Sequence, residues 1–154
     1  MNSRESIGHL ISCIHRHAQR YFNLEFSKLG LGSGNYMLLL LLYHHENETQ
    51  HELSNKMHCD KANTARAIQK LLELGYITKE RDPEDHRAFR IHLTEKAQKI
   101  KPEIKKILRS WTDIISDGFS DEEKKIAIEI LNHMTANAVK YINKQSDPPN
   151  KDSL

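Results

Sequence analysis

Residues 49–93 read TQHELSNKMHCDKANTARAIQKLLELGYITKERDPEDHRAFRIHL, and this stretch decides the fold. Thr49 and Glu52 stand at capping-box spacing: the hydroxyl takes one unpaired N–H of a helix start and the glutamate reaches back to another. Leu53 and Met57 supply the inner face of that helix. Beyond His58 and Cys59, Asp60 is placed to cap a second helix, which runs from Lys61 to Leu74 and stops at Gly75. Periodicity sets Thr64, Ile68, Leu71 and Leu72 inward, and Ala62, Asn63, Arg66, Gln69 and Lys70 outward. Two strands then flank the turn sequence Asp82-Pro83-Glu84-Asp85, with Phe89, Ile91 and Leu93 alternating on the return strand. A helix, a short turn, a second helix and a basic hairpin predict a winged helix-turn-helix, mainly α with a small β-hairpin wing.

Upstream, Ile7, Leu10, Ile11, Ile14, Ala18, Tyr21, Phe22 and Leu29 recur at three- and four-residue steps and predict a long amphipathic first helix, ended by Gly30 and Gly32. A second helix starts at Gly32 or Ser33 and continues to about His45. It is apolar on nearly all sides, which makes it the expected spine of the core. Downstream of Thr94, Ile100, Ile104, Ile107, Leu108, Trp111, Ile114 and Ile115 form one stripe, and Pro102 inside it predicts bent first turns or a later start. A second capping box, Ser120 with Glu123, opens a last helix through Ile126, Ile130, Leu131, Met134, Ala138, Tyr141 and Ile142. The tail over 146–154, with Asp147-Pro148-Pro149-Asn150, is expected to be disordered.

A chain of 154 residues can bury one good core but not two ordinary ones. Its net charge of +2 is too small to indicate a nucleic-acid partner, but the charge is unevenly placed. From Lys56 to Lys101 eleven basic residues face seven acidic ones, so positive charge concentrates on the motif. Cys13 and Cys59 make no disulfide framework. The apolar run from Met37 to Tyr43 is too short to cross a bilayer, and no basic-then-apolar leader precedes it, so a cytoplasmic protein is expected.

A helix reads DNA when it presents short polar or fork-shaped side chains to a major groove. Asn63 can pair bidentately with adenine and Arg66 with guanine, while Lys61, Gln69 and Lys70 lie where phosphates are met. Arg87 and Arg90, just past a tight turn, suit a narrow, electronegative minor groove. The competing explanation for the helix is an ordinary solvated face; the basic hairpin beside it favours DNA.

Asp60-Lys61, the helix to Leu71, Leu74-Gly75-Tyr76-Ile77, the run from Arg81 to Ala88 and Leu93-Thr94-Glu95-Lys96 together resemble the MarR family of bacterial and archaeal transcription regulators. The resemblance follows the element order of nearly the whole chain. It implies a homodimer on double-stranded DNA at a pseudopalindromic operator, acting as a ligand-responsive repressor with a small-molecule effector. It also implies Arg87 as the wing arginine, Asp85 as the acid that orients it, and a helical dimerisation layer at about 4–30 and 95–143 around a winged core at about 33–93, all one unit over 1–145. Departures from the family pattern are Thr78 and Lys79 after the glycine, His86 in the turn and Ala97 in place of a common glycine.

Several other constellations carry weaker signals. His9, His15, His17, His44, His45 and His51 match no metal-ligand spacing, so no metal site is assigned, and a metal-responsive regulator stays an alternative. Cys13, with His15 and Arg16 nearby, is a candidate redox switch, and Cys59 a small core residue. No nucleophile elbow or phosphate-binding glycine loop supports an enzyme or a bound cofactor. A winged helix used for protein contacts is the remaining alternative.

Overall fold

The computed structural model describes residues 6–32, 34–57 and 61–146, the first of them Ser6. Its hydroxyl accepts from the His9 backbone N–H at 3.1 Å and caps α1 (Ile7–Ser27). The chain continues through α2 (Asn35–Leu42), β1 (Glu48–Thr49), α3 (Gln50–Met57), α4 (Lys61–Glu73), β2 (Ile77–Arg81), β3 (Phe89–Leu93), α5 (Glu95–Ile115) and α6 (Asp121–Ser146). It divides into two compact units, Met1–Trp111 and Thr112–Leu154. The expected caps Ser33 and Asp60, Cys59 and the tail beyond Ser146 lie outside the described residues.

In the first unit α2 is the spine that its composition predicts: Tyr36, Leu38, Leu39 and Leu42 are buried, although the helix ends at Leu42 rather than near His45. Leu53 of α3, Ile68 and Leu71 of α4 and Ile91 of β3 close on it. The α1 stripe divides. Tyr21 and Phe22 pack against the core, but Ile7, Leu10, Ile11 and Ile14 are 42–59% exposed, and the buried residue of α1 is Phe26, stacked on Tyr36 at 4.4 Å. Trp111 meets Tyr21 at 5.3 Å, and the Tyr21 hydroxyl donates to the Ile107 carbonyl at 3.3 Å, fixing α5 to this aromatic cluster.

The wing is a three-stranded antiparallel sheet in the order β1-β3-β2 rather than a bare hairpin. β1 pairs Glu48 with Ile91 and Thr49 with Arg90, while β2 pairs Ile77 with Leu93 and Arg81 with Phe89. The added strand is only two residues long, and its second residue is also the cap of α3.

Pro102 neither delays nor ends α5, which starts at Glu95 and is helical through it. In the second unit Gly118, with φ +78°, turns the chain into the second capping box. There the Ser120 N–H donates to Glu123 Oε2 at 2.8 Å and the Glu123 N–H to Ser120 Oγ at 3.2 Å. Ile126, Ile130, Leu131 and Ile142 of α6 are all about half exposed.

Candidate nucleic-acid interface

The interface is built on two capped helices. At α3 the predicted box forms: Glu52 Oε2 accepts from the Thr49 N–H at 2.7 Å and from its hydroxyl at 2.9 Å, and Thr49 Oγ1 accepts from the Glu52 N–H at 3.3 Å. The Thr49 N–H, then its hydroxyl, hold the Glu52 carboxyl below its usual range. At the far end of α4, Gly75 sits at φ +73°, where its N–H donates to the Leu72 carbonyl and that of Tyr76 to the Leu71 carbonyl, both at 3.0 Å. These paired bonds form the Schellman closure that favours glycine.

Between these ends α4 sorts its side chains. Thr64, Ala67, Ile68 and Leu71 are buried and Leu72 half-buried, so Ala67 joins the predicted inner face. Lys61, Ala62, Asn63, Arg66, Gln69 and Lys70 are all exposed. Arg66 Nη2 donates to Asn63 Oδ1, which couples the two candidate base readers. Gln69 donates to Glu73 at 3.3 Å, and Lys70 lies 3.9 Å from the same carboxylate, so that cation is partly neutralised within the helix.

In the wing, Asp82 is 3% exposed and organises the turn. Its Oδ1 accepts from the backbone N–H groups of Glu84 at 2.7 Å and Asp85 at 3.1 Å, and its Oδ2 meets Arg90 Nε at 2.8 Å. The Asp85 N–H, then that of Glu84, and beyond them the Arg90 guanidinium, pull its pKa down. Arg90 also donates from Nη1 to the Asn47 carbonyl at 2.8 Å. The guanidinium expected to meet DNA therefore turns inward as a strut between the turn and the loop before β1. Arg87 is exposed, and Asp85 Oδ1 accepts from its backbone N–H at 3.0 Å, so the acid positions the main chain of Arg87.

Sequence reasoning overlooks Lys79 and Arg81. Both lie over the ring of Phe89, at 5.7 and 5.6 Å from its centroid. The alternation Ile77, Lys79, Arg81 is visible in the sequence, but the meeting of the two cations with Phe89 depends on strand register. A cleft of about 280 Å³ between α3, the start of α4 and the wing is lined by Thr49, Ser54, Lys61, Arg87 and Phe89, among others.

Of the alternative sites, Cys13 is a half-buried free thiol, and among the described residues no three His, Cys, Asp or Glu side chains are grouped to hold a metal ion. Among those residues no helix is long and apolar enough to cross a membrane.

Comparison with known proteins gives this geometry a family. The MarR family profile matches residues 32–89. The crystal structure of a MarR transcriptional regulator from Methanosarcina mazei Go1 superposes with a TM-score of 0.83 at 38% identity, covering 88% of this chain and 97% of that one. The HTH-type transcriptional regulator BilQ of Clostridioides difficile (strain CD3) is 31% identical over 127 residues, covering 82% of this chain and 86% of that protein. The chain belongs to the MarR family. As a MarR-family protein it is a winged helix-turn-helix, DNA-binding transcription regulator, not an enzyme. A putative MarR family transcriptional regulator from Listeria monocytogenes, solved with 26mer DNA, shares the fold at 24% identity and a TM-score of 0.79, covering 97% of this chain and 99% of that one. The matched MarR segment spans α2 to the start of β3, so it contains α4 and the wing turn.

Proposed function

We propose that this MarR-family regulator lays the outward side of α4 in a major groove and inserts Arg87 into the adjoining minor groove. Two copies act as a homodimer on a pseudopalindromic operator in the cytoplasm, with reading helices about one DNA turn apart. The observation that carries this reading is the separation along α4, where every residue assigned to DNA is exposed while Thr64, Ala67, Ile68 and Leu71 are buried. In this reading Asn63 and Arg66 specify bases, Lys61, Gln69 and Lys70 meet phosphates, Ala62 lets the helix approach closely, and Asp85 presents Arg87. Arg90 acts from behind, holding the wing turn through Asp82. The solved complex of a protein of the same fold with DNA supports the partner class. Repression follows from covering a promoter, and a small-molecule effector that changes the half-site spacing would release it.

The test is a salt titration of operator binding. Arg87→Ala is expected to weaken binding across sequences and lower the slope of log K against log salt by about 0.9 for each phosphate charge no longer neutralised. An Arg87→Ala protein with wild-type affinity and slope would remove Arg87 from the interface.

A further inference from the structure

The cleft between α3, the start of α4 and the wing holds a group that DNA reading leaves unused. Ser54 of α3 lines it, is 4% exposed, and its Oγ makes no hydrogen bond among the described residues. A buried hydroxyl is normally satisfied, so this one marks a place for an acceptor. The other polar walls differ in whether they are already engaged. Thr49 is taken up by the Glu52 cap, and His51 Nε2 lies 3.3 Å from the Asn55 amide. Lys61 and Arg87, by contrast, have no ion-pair partner among the described residues. The acids closest in sequence do not compete for them: Glu52 closes the cap, Asp85 Oδ1 accepts from the Arg87 N–H, and neither lines the cleft.

The three free groups come from three elements: a hydroxyl from α3, an ammonium from the first residue of α4 and a guanidinium from the wing. The start of α4 adds the positive end of its helix dipole. Donors spread over three walls match an acceptor with three oxygens better than a flat carboxylate with two. A phosphomonoester has three terminal oxygens and close to two negative charges at neutral pH. A phosphodiester of a duplex has fewer of both, and it runs along the surface, above a hydroxyl buried as Ser54 is. Ala88 and Phe89 supply an apolar wall, and Phe89 is 41% exposed. At about 280 Å³ the cleft has room for roughly nine water-sized groups, which fits a phosphate with a compact body and is too little for a nucleotide.

We propose that this cleft binds a small phosphomonoester, with Ser54, Lys61 and Arg87 on the phosphate and Phe89 against its body, and that the bound ligand displaces DNA by occupying two of its cations. Resting on the DNA-reading function above, this puts an effector on the reading surface itself, where it acts by exclusion and not through half-site spacing. Ser54 separates the two partners, because it serves the ligand and not the duplex.

The experiment takes the full-length chain and two probes, phenyl phosphate and the diester methyl phenyl phosphate, at constant ionic strength. Isothermal titration calorimetry without DNA measures binding, and fluorescence anisotropy of a labelled duplex from upstream of the coding sequence measures displacement. Wild-type protein is expected to bind phenyl phosphate saturably, one per chain, and more tightly than the diester. Its apparent dissociation constant for the duplex should rise at least about twofold once phenyl phosphate reaches its own Kd. Ser54→Ala is expected to bind phenyl phosphate at least about tenfold more weakly, the loss of a hydrogen bond to a charged group, and to bind the duplex within about twofold of wild type. Arg87→Gln, at an exposed position, is a second check and should weaken both. Binding that does not saturate, equal affinity for the diester, or a Ser54→Ala or Arg87→Gln protein that binds phenyl phosphate like wild type overturns the site. Saturable binding that leaves the duplex in place overturns the exclusion. Wild-type protein that binds no duplex at low salt overturns DNA reading and the exclusion with it, while the calorimetry still decides the cleft.

Discussion

Asn63 and Arg66 lie one helical turn apart and are already bonded to each other, so the guanidinium is ordered before any base arrives. That bond lowers the entropy cost of docking Arg66. Arg66→Ala is expected to relax preference at one or two operator positions, by roughly 1–3 kcal/mol for each bidentate base pairing it removes. Binding-site selection reads this directly, and recovery of the unchanged wild-type motif would count against it. Asp82 has a different kind of effect. Because its folded pKa lies below the ordinary 3.8, its stabilisation is fully present above that value and is lost as pH falls through the folded one. Asp82→Asn keeps one acceptor for the turn N–H groups but removes the charge opposite Arg90. The variant should melt lower than wild type at pH 6, with the gap narrowing toward pH 3; an equal gap at both would show that the charge does not matter.

Capping explains why some elements are legible in the sequence and others not. Both boxes can be read because every partner lies within four residues, and the same locality makes them testable. Thr49→Ala should cost about 1 kcal/mol in urea unfolding at pH 7. The Glu52 carboxyl is held below its ordinary 4.5 by Thr49, so part of that difference should disappear as pH falls from above that value through the lowered folded one. A difference independent of pH would mean that the threonine acts without Glu52. By contrast β1 is invisible, because two residues give no period to detect and only the pairing of Glu48 with Ile91 defines it. Phe26 extends the α1 stripe four residues past Phe22 and escapes the sequence reading, although it is the one fully buried side chain of that helix. Arg81 and Arg90 look equivalent as letters. Register sends one across a ring and the other into Asp82, and register is a long-range property.

At the scale of the whole molecule, the fold class is readable from motif order alone, whereas the covering of the terminal helices is not. Ile7, Leu10, Ile11 and Ile14 form an apolar stripe left half open on α1, and α6 carries its own in the second unit. Stripes of this kind mark association surfaces rather than finished protein exteriors. If α1 serves the homodimer, Leu10→Glu with Ile14→Glu should shift the species seen by light scattering from dimer to monomer and weaken operator binding by at least about tenfold through lost bivalency. A variant that stays dimeric would place the interface elsewhere.

The closure at Gly75 reaches further than the helix it ends. Thr94 Oγ1 donates to the Gly75 carbonyl at 2.7 Å and accepts from the Ala97 N–H at 3.3 Å, while Lys96 Nζ donates to the Leu74 carbonyl at 2.5 Å and lies over the Tyr76 ring. The last carbonyls past α4 and the first turn of α5 are thus bolted to one another, although a whole hairpin separates them in sequence. Neither helix can swivel alone without giving up charge-assisted and neutral hydrogen bonds together. A torque applied along α5 therefore arrives at α4 as a change of aim, and the wing hairpin between them rides on the same joint.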